Sequence, residues 1–148
     1  MIIKKTTNID DIKAVLCNPV IYDCINDDSS PKSKDFEPPI SDEYTYYAGY
    51  VNGDIIGLMV YHKYLDGNEC HVQVLPDHRK EHAINFGEQS LLFRGTLPLY
   101  AEIPDLYKNV LAFALLNSFK VIDVKQNDYI KNGKTYNVNV MRLQDGIR

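Results

Sequence analysis

The sequence changes from a strand to a helix within the stretch Glu69-Cys70-His71-Val72-Gln73-Val74-Leu75-Pro76-Asp77-His78-Arg79. From Glu69 to Val74 the odd-numbered residues are polar and the even-numbered residues are apolar, which is the two-residue period of a strand. One face of this strand is therefore expected to pack, and the other can line a cleft. Pro76 ends the strand, and a helix closed by Gly95 is predicted at residues 77–93.

The same two periods predict the elements on either side of this junction. Strands are predicted at residues 2–6, 44–51, 54–61, 69–75, 97–103, 119–125 and 134–143. Helices are predicted at residues 9–16, 19–25, 77–93 and 105–117. Turns are predicted at Asn52-Gly53, Asp66-Gly67-Asn68 and Asn132-Gly133. We therefore expect one α/β domain over residues 1–148, with a mixed sheet, helices on both faces and a flexible loop at residues 26–42.

Composition excludes several classes of protein. The 148 residues carry 16 Lys and Arg against 20 Asp and Glu, so the chain lacks the basic excess of a sequence-independent nucleic-acid binder. Apolar runs are far shorter than the ~20 residues of a membrane-spanning helix, and we expect neither a signal segment nor a membrane partner. Three cysteines without a C-x-x-C motif predict free thiols and a cytoplasmic location. The four histidines show no metal-ligand spacing, so no metal is predicted.

The junction resembles the GCN5-related N-acetyltransferase (GNAT) superfamily, in which a strand ending in V-x-P-x-x-R enters the loop that binds acyl-CoA. A second resemblance lies in Tyr100-Ala101-Glu102-Ile103-Pro104 and in the later Asn117-Ser118-Phe119. A narrower pattern is similar to a subgroup of phage-encoded GNAT-like proteins, some described as acetyltransferases and others as head-assembly proteins. The resemblance implies a mixed, mostly antiparallel sheet of about seven strands with about four helices packed on both faces.

The resemblance also implies a set of residues that would bind acetyl-CoA. They lie at the strand end, in the first turns of the next helix and after Pro104: Val74, Leu75, Arg79, Lys80, His82, Ala83, Ile84, Tyr107 and Asn109. The family pattern has small residues where this chain has His82 and Ile84, and glycine allows a phosphate to approach the backbone closely. Both a weakened acyl-CoA site and a helix start without a ligand stay open here.

Acetyl transfer to an amine needs a base that takes a proton from the attacking ammonium. His71 and Glu69 are the candidates, because they share the polar face of the strand and their pKa values can lie near neutrality. The alternative is that both are hydrogen-bonded structural groups. The family's proton donor to the leaving thiolate falls on Ala114, so Tyr107 would have to act from another position or simply pack.

Two functions follow as expectations. The first is an N-acyltransferase that moves an acetyl group from acetyl-CoA to an unidentified amine, cationic if the acidic residues of the 26–42 loop face it. The second is a catalytically inactive structural or assembly protein, phage-encoded, located in the host cytoplasm or the virion, with an assembly partner. A homo-oligomer is compatible with either function. A V-shaped split between the strands at 69–75 and 97–103 would favour the enzyme, whereas His82 and Ile84 filling the pyrophosphate position would oppose it.

Overall fold

Seven strands form one sheet in the computed structural model, which describes residues 1–144. The strands are β1 (Ile2–Thr6), β2 (Tyr44–Val51), β3 (Asp54–Tyr64), β4 (Gly67–Val74), β5 (Leu99–Pro104), β6 (Phe119–Lys131) and β7 (Lys134–Leu143). Their order across the sheet is β1-β2-β3-β4-β5-β7-β6. Every neighbouring pair is antiparallel except β4 and β5. The predicted mixed and mostly antiparallel sheet is confirmed.

Helices cover both faces of this sheet, as predicted. They are α1 (Ile9–Leu16), α2 (Pro19–Ile25), α3 (Arg79–Leu91) and α4 (Lys108–Leu116). On one face α1 and α2 pack against Leu58 and Val60 of β3. On the other face α3 and α4 pack against Met59 and Tyr61, because successive strand residues point to opposite sides. None of the helices within residues 1–144 is long and apolar enough to cross a membrane.

Side-chain caps define the starts of the first two helices. The Asn8 side chain accepts the backbone N–H groups of Asp10 and Asp11, at 3.0 and 3.2 Å. The Asn18 side chain caps α2 in the same way, and Pro19 begins that helix where no backbone donor is needed. These caps place the two short helices over the face of β3 that carries Leu58 and Val60.

Several predicted boundaries are wrong because the chain turns elsewhere. β3 was predicted to end at residue 61, but it continues to Tyr64. The turn predicted at 66–68 lies instead at Leu65-Asp66, where Leu65 has a φ of 48°. The predicted end of β6 at residue 125 is wrong as well, because a bulge at Lys125/Tyr129 lets the strand continue to Lys131. A 3-10 helix at Pro76–His78 delays the start of α3. The strand predicted at 97–103 is Leu99–Pro104, and the helix predicted at 105–117 is Lys108–Leu116.

The 26–42 loop is tied to the core at several points. The Tyr46 hydroxyl donates to the Pro39 carbonyl at 2.6 Å, and the Tyr22 hydroxyl donates to the Pro31 carbonyl. The Phe36 ring lies 5.3 Å from the Tyr22 ring, centroid to centroid. A short 3-10 helix, Ser33–Asp35, interrupts the loop. These contacts hold the segment against α2 and β2.

Candidate active site

The strands β4 and β5 separate soon after they meet. Their parallel pairing comprises only Asn68↔Leu99 and Glu69↔Tyr100, although β4 continues to Val74. Beyond this joint β5 stays paired with β7 along its other edge. The V-shaped split expected from the sequence is therefore present, and it opens immediately after Glu69.

Glu69 and His71 lie on the face of β4 that α1 and α2 cover. His71 stands opposite Val60, which packs against those helices, whereas Cys70 and Val72 pack in the opposite cluster. The side chain of Glu69 is 8% exposed and that of His71 is 42% exposed. The prediction that the two share one face is confirmed, and it places a buried carboxylate beside an accessible imidazole where the split opens.

His62 joins this pair, although nothing in the sequence singled it out. Because β3 and β4 form a hairpin, His62 stands directly opposite Glu69, and its Nε2 lies 3.3 Å from Glu69 Oε1. His71 Nε2 lies 3.7 Å from the same oxygen, and the two Nε2 atoms are 2.9 Å apart. The two rings are nearly parallel, at 11°, with centroids 5.0 Å apart. Together these distances show that the rings meet end to end through their Nε2 atoms, rather than face to face.

Outer contacts hold the side chains of His62 and Glu69 in place. The Nδ1 atom of His62 is 3.0 Å from the Lys63 carbonyl, and the ring lies 5.3 Å from that of Tyr44, at 28°. The other oxygen of Glu69, Oε2, accepts the backbone N–H of Glu102 at 2.8 Å. Glu102 is itself paired, because its carboxylate accepts from the hydroxyl of Tyr64 and from Lys125, the latter at 2.8 Å.

The electrostatic environment shifts the pKa values of the two imidazoles in opposite directions. The hydrogen bond with Glu69 raises the pKa of His62, and this effect exceeds the opposing effect of burial. Desolvation lowers the pKa of His71, and the nearby His62 adds to this, although Glu69 opposes both. Burial alone would raise the pKa of Glu69, but the hydrogen bond from His62 and the charge of His71 outweigh it and lower the pKa. The two imidazoles therefore favour the ionised form of the buried Glu69 carboxylate.

The start of α3 holds most of the residues that the resemblance implies for acyl-CoA binding. Arg79 folds back, and its Nε donates to the Val74 carbonyl at 2.9 Å. The His82 side chain is 17% exposed and lies beside His78, with ring centroids 6.0 Å apart, whereas Ile84 is 58% exposed. Ile84 therefore does not fill the helix start, while His82 lies along it. The remaining positions divide between solvent and core, with Lys80 exposed and Val74, Leu75 and Ala83 packed in the core clusters.

Tyr107 and Asn109, also implied by the resemblance, stand apart from the imidazole pair. Asn109 is exposed in the first turn of α4. The Tyr107 hydroxyl lies 2.6 Å from the Tyr129 hydroxyl of β6 and 3.5 Å from the Asp23 carbonyl of α2. Tyr107 is thus part of a contact between α2 and the β6–β7 hairpin. Sequence spacing could not reveal this role, because the partners are far apart along the chain.

Further contacts join α2 and the residues after it to the β6–β7 hairpin. The Lys131 ammonium is buried, donates to the carbonyls of Asp23 and Asn26, and lies 3.3 Å from the Asp23 carboxylate. The Asp28 carboxylate accepts the backbone N–H groups of Asn132 and Gly133, each at 2.8 Å. We call these contacts the hairpin bridge. It fixes the tip of the β6–β7 hairpin against the beginning of the 26–42 loop.

Comparison with solved structures identifies the fold. The spermidine N-acetyltransferase of Vibrio cholerae, in complex with CoA and spermine, matches with a TM-score of 0.76 over 96% of this chain and 94% of that chain, at 13% identity. A protein described as a candidate phosphinothricin N-acetyltransferase matches with a TM-score of 0.73 over 97% of this chain and 98% of that chain, at 16% identity. No protein-family model and no curated protein sequence matches the chain. The chain has the fold of the GNAT acetyltransferases, as the strand-to-helix junction led us to expect.

Proposed function

We propose that this chain is an N-acyltransferase that moves an acetyl group from acetyl-CoA to an amine. The observation that carries the proposal is the accessible imidazole of His71, backed by the buried carboxylate of Glu69, where β4 and β5 diverge. A substrate bound in the split between β4 and β5 would lie next to the His71 imidazole. The shared fold supports the same reading but does not by itself assign an activity, because one fold can host unrelated functions.

The proposed reaction assigns a role to each polar group. The amine nitrogen attacks the thioester carbonyl carbon, a C–N bond forms, and the C–S bond breaks to release the CoA thiolate. His71 accepts the proton that the attacking ammonium loses, and Glu69 balances the positive charge that develops on the imidazole pair. Glu69 is then the electrostatic partner of the base, and His62 fixes the orientation of both side chains. The thiolate leaves without a dedicated acid, since Ala114 occupies the family's donor position.

The proposed acyl-CoA site combines backbone and side-chain groups. Val74 and Leu75, at the end of β4, would lie beside the pantetheine arm, and the Val74 carbonyl could contact it only if Arg79 released that carbonyl. The first turn of α3 would face the pyrophosphate, where its backbone donors and the helix dipole favour an anion. His78 gives no side-chain cap to that turn, and the Arg79 N–H donates to the Pro76 carbonyl. The other proposed contacts are Arg79, Lys80, His82, Ala83, Ile84, Tyr107 and Asn109.

We further propose a cationic amine as the acceptor. The loop that follows α2 carries several acidic residues, and of these Asp27 lies next to Asp28, whose carboxylate belongs to the hairpin bridge. The Vibrio cholerae enzyme was solved with spermine, a polycationic amine, and its fold matches over nearly the whole chain. Polyamines and lysine side chains therefore come first among the amines to be tested.

The test measures binding and turnover separately. Thermal unfolding with millimolar acetyl-CoA should show a higher midpoint, since a ligand at 100 times its Kd adds about 2.7 kcal/mol to the free energy of unfolding. Release of free CoA thiol is then followed with spermidine, spermine and a lysine peptide. We expect His71→Gln to lower kcat about 100-fold or more while retaining the acetyl-CoA shift. Lys5→Gln, at an exposed position on β1, is the matched control and should behave as wild type.

A catalytically inactive structural or assembly protein, phage-encoded, is the second candidate. It is favoured by the hydrogen bond from Arg79 to the Val74 carbonyl and by the His82 ring along the start of α3. Both reduce the room for an acyl-CoA at the helix start. If acetyl-CoA gives no thermal shift and no amine causes CoA release, the result supports this candidate and contradicts the enzyme. A partner would then be sought by co-purification from infected cells.

A further inference from the structure

We propose that His62, Glu69 and His71 form a binding site for a divalent transition-metal ion, with Zn²⁺ as the ion that fits the ligands best. The three ligand atoms are His62 Nε2, His71 Nε2 and Glu69 Oε1, and they all lie within 4.8 Å of one another. The site is a property of the β3–β4 hairpin, and its existence does not depend on acetyl transfer.

The distances match the face of a coordination tetrahedron. Zn²⁺ bonds to nitrogen and oxygen of about 2.0–2.2 Å place the ligand atoms about 3.3–3.6 Å from one another. The three separations here are 2.9, 3.3 and 3.7 Å, which bracket that spacing. The shortest joins the two Nε2 atoms, which now share a hydrogen bond. A metal ion would replace that proton, and the rings would rotate so that both lone pairs point at the ion.

The surroundings are those of a supported metal site. A histidine ligand normally uses its second ring nitrogen to bond to a carbonyl or carboxylate, which fixes the tautomer. His62 Nδ1 has this contact with the Lys63 carbonyl, at 3.0 Å. A ligating carboxylate is also held by a second hydrogen bond, and Glu69 Oε2 accepts the Glu102 N–H at 2.8 Å. Two of the three ligands therefore have their outer partners already in place.

Ligand chemistry and exposure select the class of ion. Two imidazoles and one carboxylate suit Zn²⁺ and related first-row ions, whereas Ca²⁺ and Mg²⁺ prefer oxygen ligands alone. His62 and Glu69 are largely buried, but the His71 side chain is 42% exposed, so the fourth position faces the split. An ion held there has an open position for water or a small ligand. In the proposed acyltransferase the bound ion would also occupy His71 Nε2, which accepts the proton, so Zn²⁺ would inhibit turnover. This consequence alone rests on the proposed function.

The test titrates the metal-free full chain with Co²⁺ and Zn²⁺ after treatment with a chelator. We expect one tight site, with the intense visible absorption of four-coordinate Co²⁺, which Zn²⁺ displaces. His71→Gln and His62→Gln should each weaken binding by about tenfold or more. His71 is half-exposed, so His71→Gln is expected to keep the fold, and equal thermal unfolding midpoints in chelator verify this.

A double variant, His78→Gln with His82→Gln, is the matched control, because these histidines form the other pair in the chain. It should bind Co²⁺ like wild type. Co²⁺ binding that is as tight in His71→Gln as in wild type, or that is lost in the control, would overturn the proposal. So would a thiolate-to-cobalt charge-transfer band, which would assign the ion to cysteine, or the absence of binding by wild type. None of these readouts involves acetyl-CoA, so the metal site and the enzyme can fail independently.

Discussion

The carboxylate of Glu69 accepts the backbone N–H of Glu102 at 2.8 Å, just beyond the last ladder pair that joins their two strands. This side-chain contact continues the joint between β4 and β5 after backbone pairing has stopped. The same carboxylate bonds to His62 with its other oxygen. One buried group thus sets both where the split begins and how the imidazoles are oriented.

Replacing Glu69 should therefore separate its acceptor role from its charge. Glu69→Ala leaves the Glu102 N–H and His62 without their acceptor, and we expect the free energy of unfolding to fall by about 1–3 kcal/mol. Glu69→Gln keeps an acceptor oxygen and should lose less. Urea denaturation of the two variants measures the difference. Equal losses would show that the hydrogen bond to Glu102 does not hold the joint.

Gly67 starts β4 where the chain leaves no space for a side chain. A Cβ atom there would lie 2.0 Å from the Pro98 carbonyl oxygen, which also accepts the Asn68 N–H at 2.9 Å. Gly67→Ala should lower the free energy of unfolding by about 1–3 kcal/mol and speed exchange of the Asn68 amide, because a backbone atom must move. Gly53→Asn is the control, at a turn with φ of 84° and nothing within 4 Å of the added Cβ, and it should cost less. A larger loss in the control would contradict this account.

The hairpin bridge predicts an unequal effect of two lysines on one hairpin. Lys131→Met removes the donor to the carbonyls of Asp23 and Asn26, and should lower the free energy of unfolding by about 1–3 kcal/mol. Lys134→Met, at an exposed position on the same hairpin, should change it by less than about 0.5 kcal/mol. Chemical denaturation compares the two. Similar values would mean that the bridge adds nothing to stability.

Alkaline pH should weaken the contacts of the buried Tyr46 and the half-buried Tyr50. Burial raises the pKa of Tyr46 to about 12, and burial together with the hydrogen bond to Asp11 raises that of Tyr50 to about 12. Because the folded pKa lies above the ordinary value of about 10, their contribution is complete below pH 10 and is lost as pH rises towards 12. The stability difference between wild type and Tyr46→Phe should narrow over this interval, measured by urea denaturation. A constant difference up to pH 12 would contradict the assignment.

The element order could be predicted from sequence because local signals encode it. Alternation marked β2, β3 and β4, and Asn52-Gly53 placed their first turn correctly. The extension of β6 could not be predicted, because residues 126–128 are polar and typical of a loop. In the structure a bulge absorbs them, with Asn127 at a φ of 52° and its N–H bonded to the Asn137 side chain at 3.0 Å. Long-range pairing with β7 overrides the local preference there.

Local signals also predicted part of the candidate site. Strand alternation correctly put Glu69 and His71 on one face, whereas His62 was missed because β3 was expected to end at residue 61. The cross-strand partner of a residue depends on the position of the turn. A turn at 66–68 would place His62 opposite Val72, on the wrong face, whereas the observed turn at Leu65-Asp66 places it opposite Glu69. One left-handed residue, Leu65, decides which side chains meet.

That turn also has a kinetic consequence. All three members of the imidazole–carboxylate cluster lie between His62 and His71, within a single hairpin. Isolated hairpins form in about 1–10 μs, whereas pairing with β5 requires closure of a much longer loop. We expect the cluster to assemble early in folding, before the two halves of the sheet dock. Nascent chain emerging from the ribosome could thus present these side chains together while the partner strands are still being synthesised.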